Sequence, residues 1–182
     1  MKFSLFRRNR RADTISALYG TIVAQARLPC FYQDYAVADT VNGRFDLLVM
    51  HLVLVIERLN RDPALKELGQ GLFDRFCQDM DDNLREIGIA DLKVPKEMRR
   101  MGEAFYGRAQ AYQTALAAEG NEAVVAAVIR NIYAGTPPAP AVSARLAAYM
   151  RETATALDRQ ATSALAAGTV HLPAPAANFA AT

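Results

Sequence analysis

The stretch from Asp39 to Asn60, DTVNGRFDLLVMHLVLVIERLN, limits what this chain can fold into more than any other. It reads as one helix that is apolar on nearly every side, and such a helix has to be covered all round. Three residues interrupt it at spacings of seven: Arg44, His51 and Arg58. At 100° per residue they fall within about 40° of one another and form one polar stripe. Arginine is seldom buried without a partner. The segment therefore reads either as the central helix of a bundle with a polar seam or as an apolar surface kept for a partner. In the first case the seam serves fold maintenance and pairs with carboxylates on neighbouring helices, Asp79 or Asp82 among the candidates. An imidazolium between two arginines is disfavoured, so His51 is expected to be neutral.

Helical periodicity continues on both sides of this segment. Asp13 can cap a helix to about Arg27, with Ile15, Leu18, Ile22 and Ala26 on one face. Pro29 ends it, and the aromatic run CFYQDYAVAD reads as an irregular turn or a short helix. A third helix covers roughly 64–87, with Leu72, Phe76, Met80 and Leu84 along its inner stripe and Gly88 placed to end it. Pro95 starts a fourth that runs to about Glu119, and Asn121 caps a short fifth. After the proline-rich break GTPPAPA, an alanine-rich sixth helix spans about 141–167. Nothing alternates at period two. The expectation is an all-α fold, an irregular bundle of about six helices over 13–168, followed by an extended or disordered tail over 169–182.

The charge is unevenly spread. Residues 1–11 hold Lys2, Arg7, Arg8, Arg10 and Arg11 and no acid, whereas the remainder carries sixteen basic and nineteen acidic side chains. This describes a mildly acidic body with a basic arm over residues 1–12. The arm mixes Phe3, Leu5 and Phe6 with its arginines, so it can touch an anionic membrane or a ribosome. No apolar signal core follows it, and no run of 18 apolar residues occurs anywhere. The cytoplasm is the expected compartment, with peripheral attachment to the inner membrane as an option.

Chemistry-bearing clusters are sparse. Asp79, Asp81 and Asp82 lack the glycine and the closing glutamate of a calcium loop and read as a solvated helix face. Cys30 and Cys77 have no metal-ligand spacing. His51 has Leu54 and Val55 where a zinc site would place further ligands. Met98 and Met101 sit at core spacing rather than as haem ligands. No catalytic residue, metal or cofactor is therefore expected. The most suggestive surface is on the fourth helix, where Lys93, Lys96, Arg99, Arg100 and Arg108 cluster near Tyr106. Cations beside an aromatic suit phosphate, RNA or an acidic protein surface.

Three blocks in fixed order carry a likeness to a known family: DTVNGRFDLLVMHLVLVIERL, then FDRFCQDMDDNLREIGIAD, then KVPKEMRRMGEAFYGRAQAY. Over about residues 30–118 the chain resembles the ubiquinol–cytochrome c chaperone family. The resemblance implies an all-helical, non-catalytic assembly factor that holds newly made cytochrome b during biogenesis of the cytochrome bc1 complex. In mitochondrial members this happens near the ribosomal exit. No transit peptide is evident, so the chain resembles a bacterial member whose client enters the inner membrane from the cytoplasm. A membrane-protein client is the implied partner, with ribosome or anionic membrane as further options and no DNA. The rival function is a peripheral membrane or RNA adaptor acting through Arg7, Arg8, Arg10 and Arg11.

Overall fold

A computed structural model describes residues 2–176, with side chains from Arg10 onward. Among these residues there are eight helical segments and no strand. They are α1 (Lys2–Ala26), α2 (Pro29–Gln33), α3 (Val41–Asn60), α4 (Lys66–Glu86), α5 (Val94–Ala117), α6 (Glu122–Asn131), α7 (Pro140–Asp158) and α8 (Thr162–Ala166). Six are long; α2 and α8 are turns of five residues each.

α3 is the hub, packed by α1, α4, α5 and α7. Twelve of its twenty residues are buried, which is why almost every face of it is apolar. Thr40 caps it, its hydroxyl accepting the Gly43 N–H at 3.2 Å. Gly43 has no substitute there, because a Cβ at that position would run into the carbonyl oxygen of Ala38. α4 folds back antiparallel along α3 and then lies parallel to α1: Ile15 packs on Gly71, and the Tyr19 hydroxyl donates to Asp79 at 2.8 Å. Phe45, Phe73, Phe76 and Phe105 join α3, α4 and α5 in a ladder of tilted rings with centroids 4.8–6.2 Å apart.

Several boundaries differ from those expected. α1 begins at Lys2, so the basic segment continues the helix instead of forming a separate arm. Residues 2–13 contain good helix formers and neither Gly nor Pro, and Asp13 is not a start. The last expected helix is broken into α7 and α8. Arg58 breaks it: its Nε donates to the Leu157 carbonyl at 3.0 Å and its Nη2 to the Gln160 carbonyl at 2.8 Å. Continuation of the helix would have used those same acceptors. Over residues 169–176 the chain is neither helix nor strand, yet Val170 and Pro175 are buried, so this part of the tail is packed against the body. Residues 177–182 lie outside the described part.

His51 is fully buried between α1, α2 and α7. Its Nδ1 donates to the Leu47 carbonyl at 2.8 Å, which leaves Nε2 to accept from the Tyr149 hydroxyl, also at 2.8 Å. That hydroxyl in turn accepts from Gln25 Nε2 at 2.9 Å. Phe31 meets both His51 and Tyr149 edge to face. Loss of hydration, rather than the neighbouring arginines, holds the imidazole neutral and lowers its pKa from 6.5 to about 4.

Two measurements follow from this packing. Gly43→Ala will lower the unfolding free energy by about 2–3 kcal/mol in urea titrations, because the obstacle is main chain and cannot step aside. The His51 folded-state value lies below its unfolded value, so the unfolded chain binds the extra proton as pH falls. Stability will drop between about pH 6.5 and pH 4, by up to about 3 kcal/mol, and no further from this group below that. His51→Gln will flatten that portion of the pH–stability curve.

Candidate partner-binding site

The polar stripe of α3 does not act as one unit. Arg44 is exposed and pairs with Asp39 at 2.7 Å within its own helix start, its guanidinium 5.7 Å from the Tyr32 ring. His51 is sealed in the core. Arg58 spends its donors on main-chain carbonyls at the end of α7. None of the three meets Asp79 or Asp82. Asp79 accepts from Tyr19 and lies 3.7 Å from Arg75. Asp81 pairs with Arg85 at 2.7 Å, and Asp82 is exposed. For Arg58 the expected carboxylate partner is replaced by carbonyl oxygens, which every residue carries and composition cannot reveal.

The cationic surface of α5 is real but smaller than expected. Schellman bonds close α4, from the Ile89 N–H to the Leu84 carbonyl and from the Gly88 N–H to the Arg85 carbonyl, with Gly88 at φ +83°. A second turn, from the Lys93 N–H to the Ala90 carbonyl, launches α5. This rigid corner leaves Ile87 71% and Leu92 96% exposed beside Lys93 and Lys96. Arg99 and Arg100 are exposed and hold Glu103 and Glu97 loosely at 3.7 and 3.0 Å. Tyr106 lies on the same side as Arg99, 63% exposed, its ring resting on Phe73 at 5.6 Å. So the phenylalanine ladder of the core surfaces at Tyr106, flanked by cations.

Arg108 does not belong to that face. It stands nine residues beyond Arg99, about half a turn out of phase, and points inward. Its Nη2 donates to Asp46 at 2.6 Å and its guanidinium lies 5.8 Å from the Phe45 ring. Burial raises the Asp46 pKa, and the guanidinium beside it pulls the other way. Arg108 Nε and the Tyr112 hydroxyl are buried beside this pair with no hydrogen-bond partner. Asp46, Arg108 and Tyr112 come from two of the sequence blocks quoted above, and their meeting ties α3 to α5.

A cleft of about 290 Å³ opens between α3, α5 and α7. Val53, Leu54 and Leu116 make its floor. Its rim is charged and self-paired: Glu57 accepts from Gln113, and Arg61 holds Asp158 at 2.6 Å. Sequence reasoning had not singled out Glu57, Arg61, Gln113 or Asp158. The available signal was the switch from apolar to charged at Glu57, directly after the apolar run Leu52–Ile56.

Arg10 is exposed, and Arg11 pairs with Glu67 at the start of α4 at 2.6 Å. The side chains of Arg7 and Arg8 lie outside the described residues. Among the described residues there is no cluster of three or more His, Cys, Asp or Glu side chains placed to hold a metal. No described helix is long and apolar enough to cross a membrane.

The sequence profile of the family described as "Ubiquinol-cytochrome C chaperone" matches residues 33–172, a span holding the cleft, the α5 face and the buried histidine. No curated protein matches the chain. Among solved structures it is similar to the Cbp3 homolog from Brucella abortus, with 38% identity and a TM-score of 0.84 over 95% of this chain and 97% of that one. The match extends beyond residues 30–118 and takes in α6, α7 and α8. The chain belongs to the ubiquinol–cytochrome c chaperone family.

Proposed function

We propose that this chain is a non-catalytic assembly chaperone that holds newly made cytochrome b during biogenesis of the cytochrome bc1 complex. Family membership over residues 33–172 carries the reading. The surface of α5 fits it in detail. Tyr106 and Phe73 offer an aromatic platform continuous with the core, and Lys93, Lys96, Arg99 and Arg100 surround it with positive charge. Leu92 and Ile87 add apolar area at the corner. An apolar client segment with acidic flanks is what such a surface attracts. The chaperone would work at the cytoplasmic face of the inner membrane, where the client is inserted.

A second reading rests on α1. Arg11 is fixed to the start of α4, so the helix carries residues 2–10 about 13 Å beyond that anchor. A basic helix that runs on past this anchor can meet an anionic bilayer or a ribosome through Arg7, Arg8 and Arg10. It would localise the chaperone rather than bind the client.

Photo-crosslinkers placed at Leu92, Arg99 and Tyr106 in cells making cytochrome b will capture that protein. Adducts to other proteins only, or none from any of the three positions, would defeat the reading. Reversing Lys93, Lys96, Arg99 and Arg100 together to Glu will cut assembled bc1 complex by about threefold or more with helicity unchanged by circular dichroism. Removal of residues 1–11 will lower co-sedimentation with anionic vesicles or ribosomes at low salt while leaving the crosslinks in place.

A further inference from the structure

Residues 169–176, TVHLPAPA, form an extended strap over α1, α2 and α7, and the way it is held has a pattern. Gln160 clamps the main chain of one residue with both ends of its amide: Nε2 donates to the His171 carbonyl and Oε1 accepts from the His171 N–H, each at 2.8 Å. Gln25 Nε2 donates to the Pro173 carbonyl at 2.7 Å. The Tyr35 hydroxyl donates to the Ala176 carbonyl at 3.3 Å. All four contacts read the strap's main chain; none reads a side chain. Beneath them lies an aromatic floor, with Tyr35 and Tyr149 ring centroids 6.4 Å apart and Arg145 stacked 4.3 Å over Tyr35. Val170 and Pro175 are buried against the body, and Leu172 packs on the core.

The strap is separable from the fold. Among the described residues, 170–176 make no main-chain to main-chain hydrogen bond, so lifting them breaks no helix. What lifting would do is free the Tyr35 hydroxyl and the Gln25 and Gln160 amides that serve the strap, above the buried Tyr35 and Tyr149 rings. Aromatic floors with side-chain donors aimed at carbonyls are how proteins take proline-containing extended peptides.

We propose that Gln25, Tyr35, Tyr149 and Gln160 form a binding channel for an extended, apolar, proline-containing polypeptide segment of a partner, occupied in cis by the chain's own residues 169–176. Tethering holds the strap at an effective concentration on the order of millimolar, so a weak seat stays filled until a segment burying more surface displaces it. Main-chain recognition tolerates many sequences, which suits a protein that meets a client before it has folded. The identity of the physiological partner rests on the chaperone reading; the channel itself does not.

The probe is a fluorescently labelled TVHLPAPA peptide, followed by anisotropy with the full chain. Val170→Asp combined with Pro175→Asp releases the strap, and the released chain will bind the peptide about tenfold tighter than the parent. Adding Gln160→Ala to the released chain will weaken binding by about tenfold, because two hydrogen bonds to the main chain of one residue are lost. Equal affinity of parent and released chains, or indifference to Gln160→Ala, would overturn the channel. Dimerisation of the released chain by strap exchange, seen in sedimentation, would give the channel to a second copy and overturn it as well. Should the released chain lose helicity, hydrogen exchange on the unaltered protein decides instead. Excess unlabelled peptide will speed exchange at the His171 amide, and an unchanged rate would refute displacement. Cytochrome b crosslinks from α5 are read separately, so loss of the channel leaves the chaperone reading standing.

Discussion

Everything in this fold is arranged around the need to bury α3 from all sides without leaving its one core imidazole unpaired. An apolar helix of twenty residues in water demands neighbours on every face, and α1, α4, α5 and α7 supply them. His51 then sets how two of those neighbours are placed. Its ring nitrogens can be satisfied only if one meets a carbonyl and the other a donor, and Tyr149 on α7 is that donor. Gln25 on α1 closes the chain of bonds. A polar group in the core is costly unless fully matched, so this triad specifies the relative positions of α1, α3 and α7 more narrowly than apolar contact would.

The helical architecture was legible in the chain because its signals are local. The capping threonine, Gly88 and Pro95 mark ends that the structure keeps, and the stripe Leu72, Phe76, Met80 and Leu84 is buried as its spacing demands. The start of α1 was missed since Asp13 resembles a cap while nothing upstream stops the helix. Partners of the seam were not legible. Arg58 is satisfied by two carbonyls about a hundred positions away, and a carbonyl leaves no mark in a sequence. The fate of the tail was hidden for the same reason: alanine and proline compose a packed strap as readily as a loose end, and the side chains that decide between them lie on α1 and just past the ends of α2 and α7.

The candidate site was half legible. Clustered cations around Tyr106 are a feature of composition and survive in the fold. Arg108 stands apart from them, because its phase on the helix, half a turn from Arg99, turns it toward Asp46. Its inward position has a physical cost. Arg108 keeps one nitrogen and Tyr112 keeps its hydroxyl without a partner, while Asp46 is held in surroundings that penalise its charge. Two blocks of the family pattern thus meet in a clamp between α3 and α5, and the second of them also carries the outer cations and Tyr106.

The parallel placement of α1 against α4 bears on the order in which the molecule can be built. Parallel neighbours cannot be joined by a tight turn, so α1 finds its mate only after the chain has gone out along α3 and come back. Tyr19 meets Asp79 across sixty positions, and Gln25 meets Pro173 across 148. During synthesis the first helix therefore leaves the ribosome long before its seat exists, and the bundle cannot close until nearly the whole polypeptide has emerged. Such distant pairings slow folding through the entropy of loop closure. This protein passes its own early life as an incomplete chain with an exposed helix.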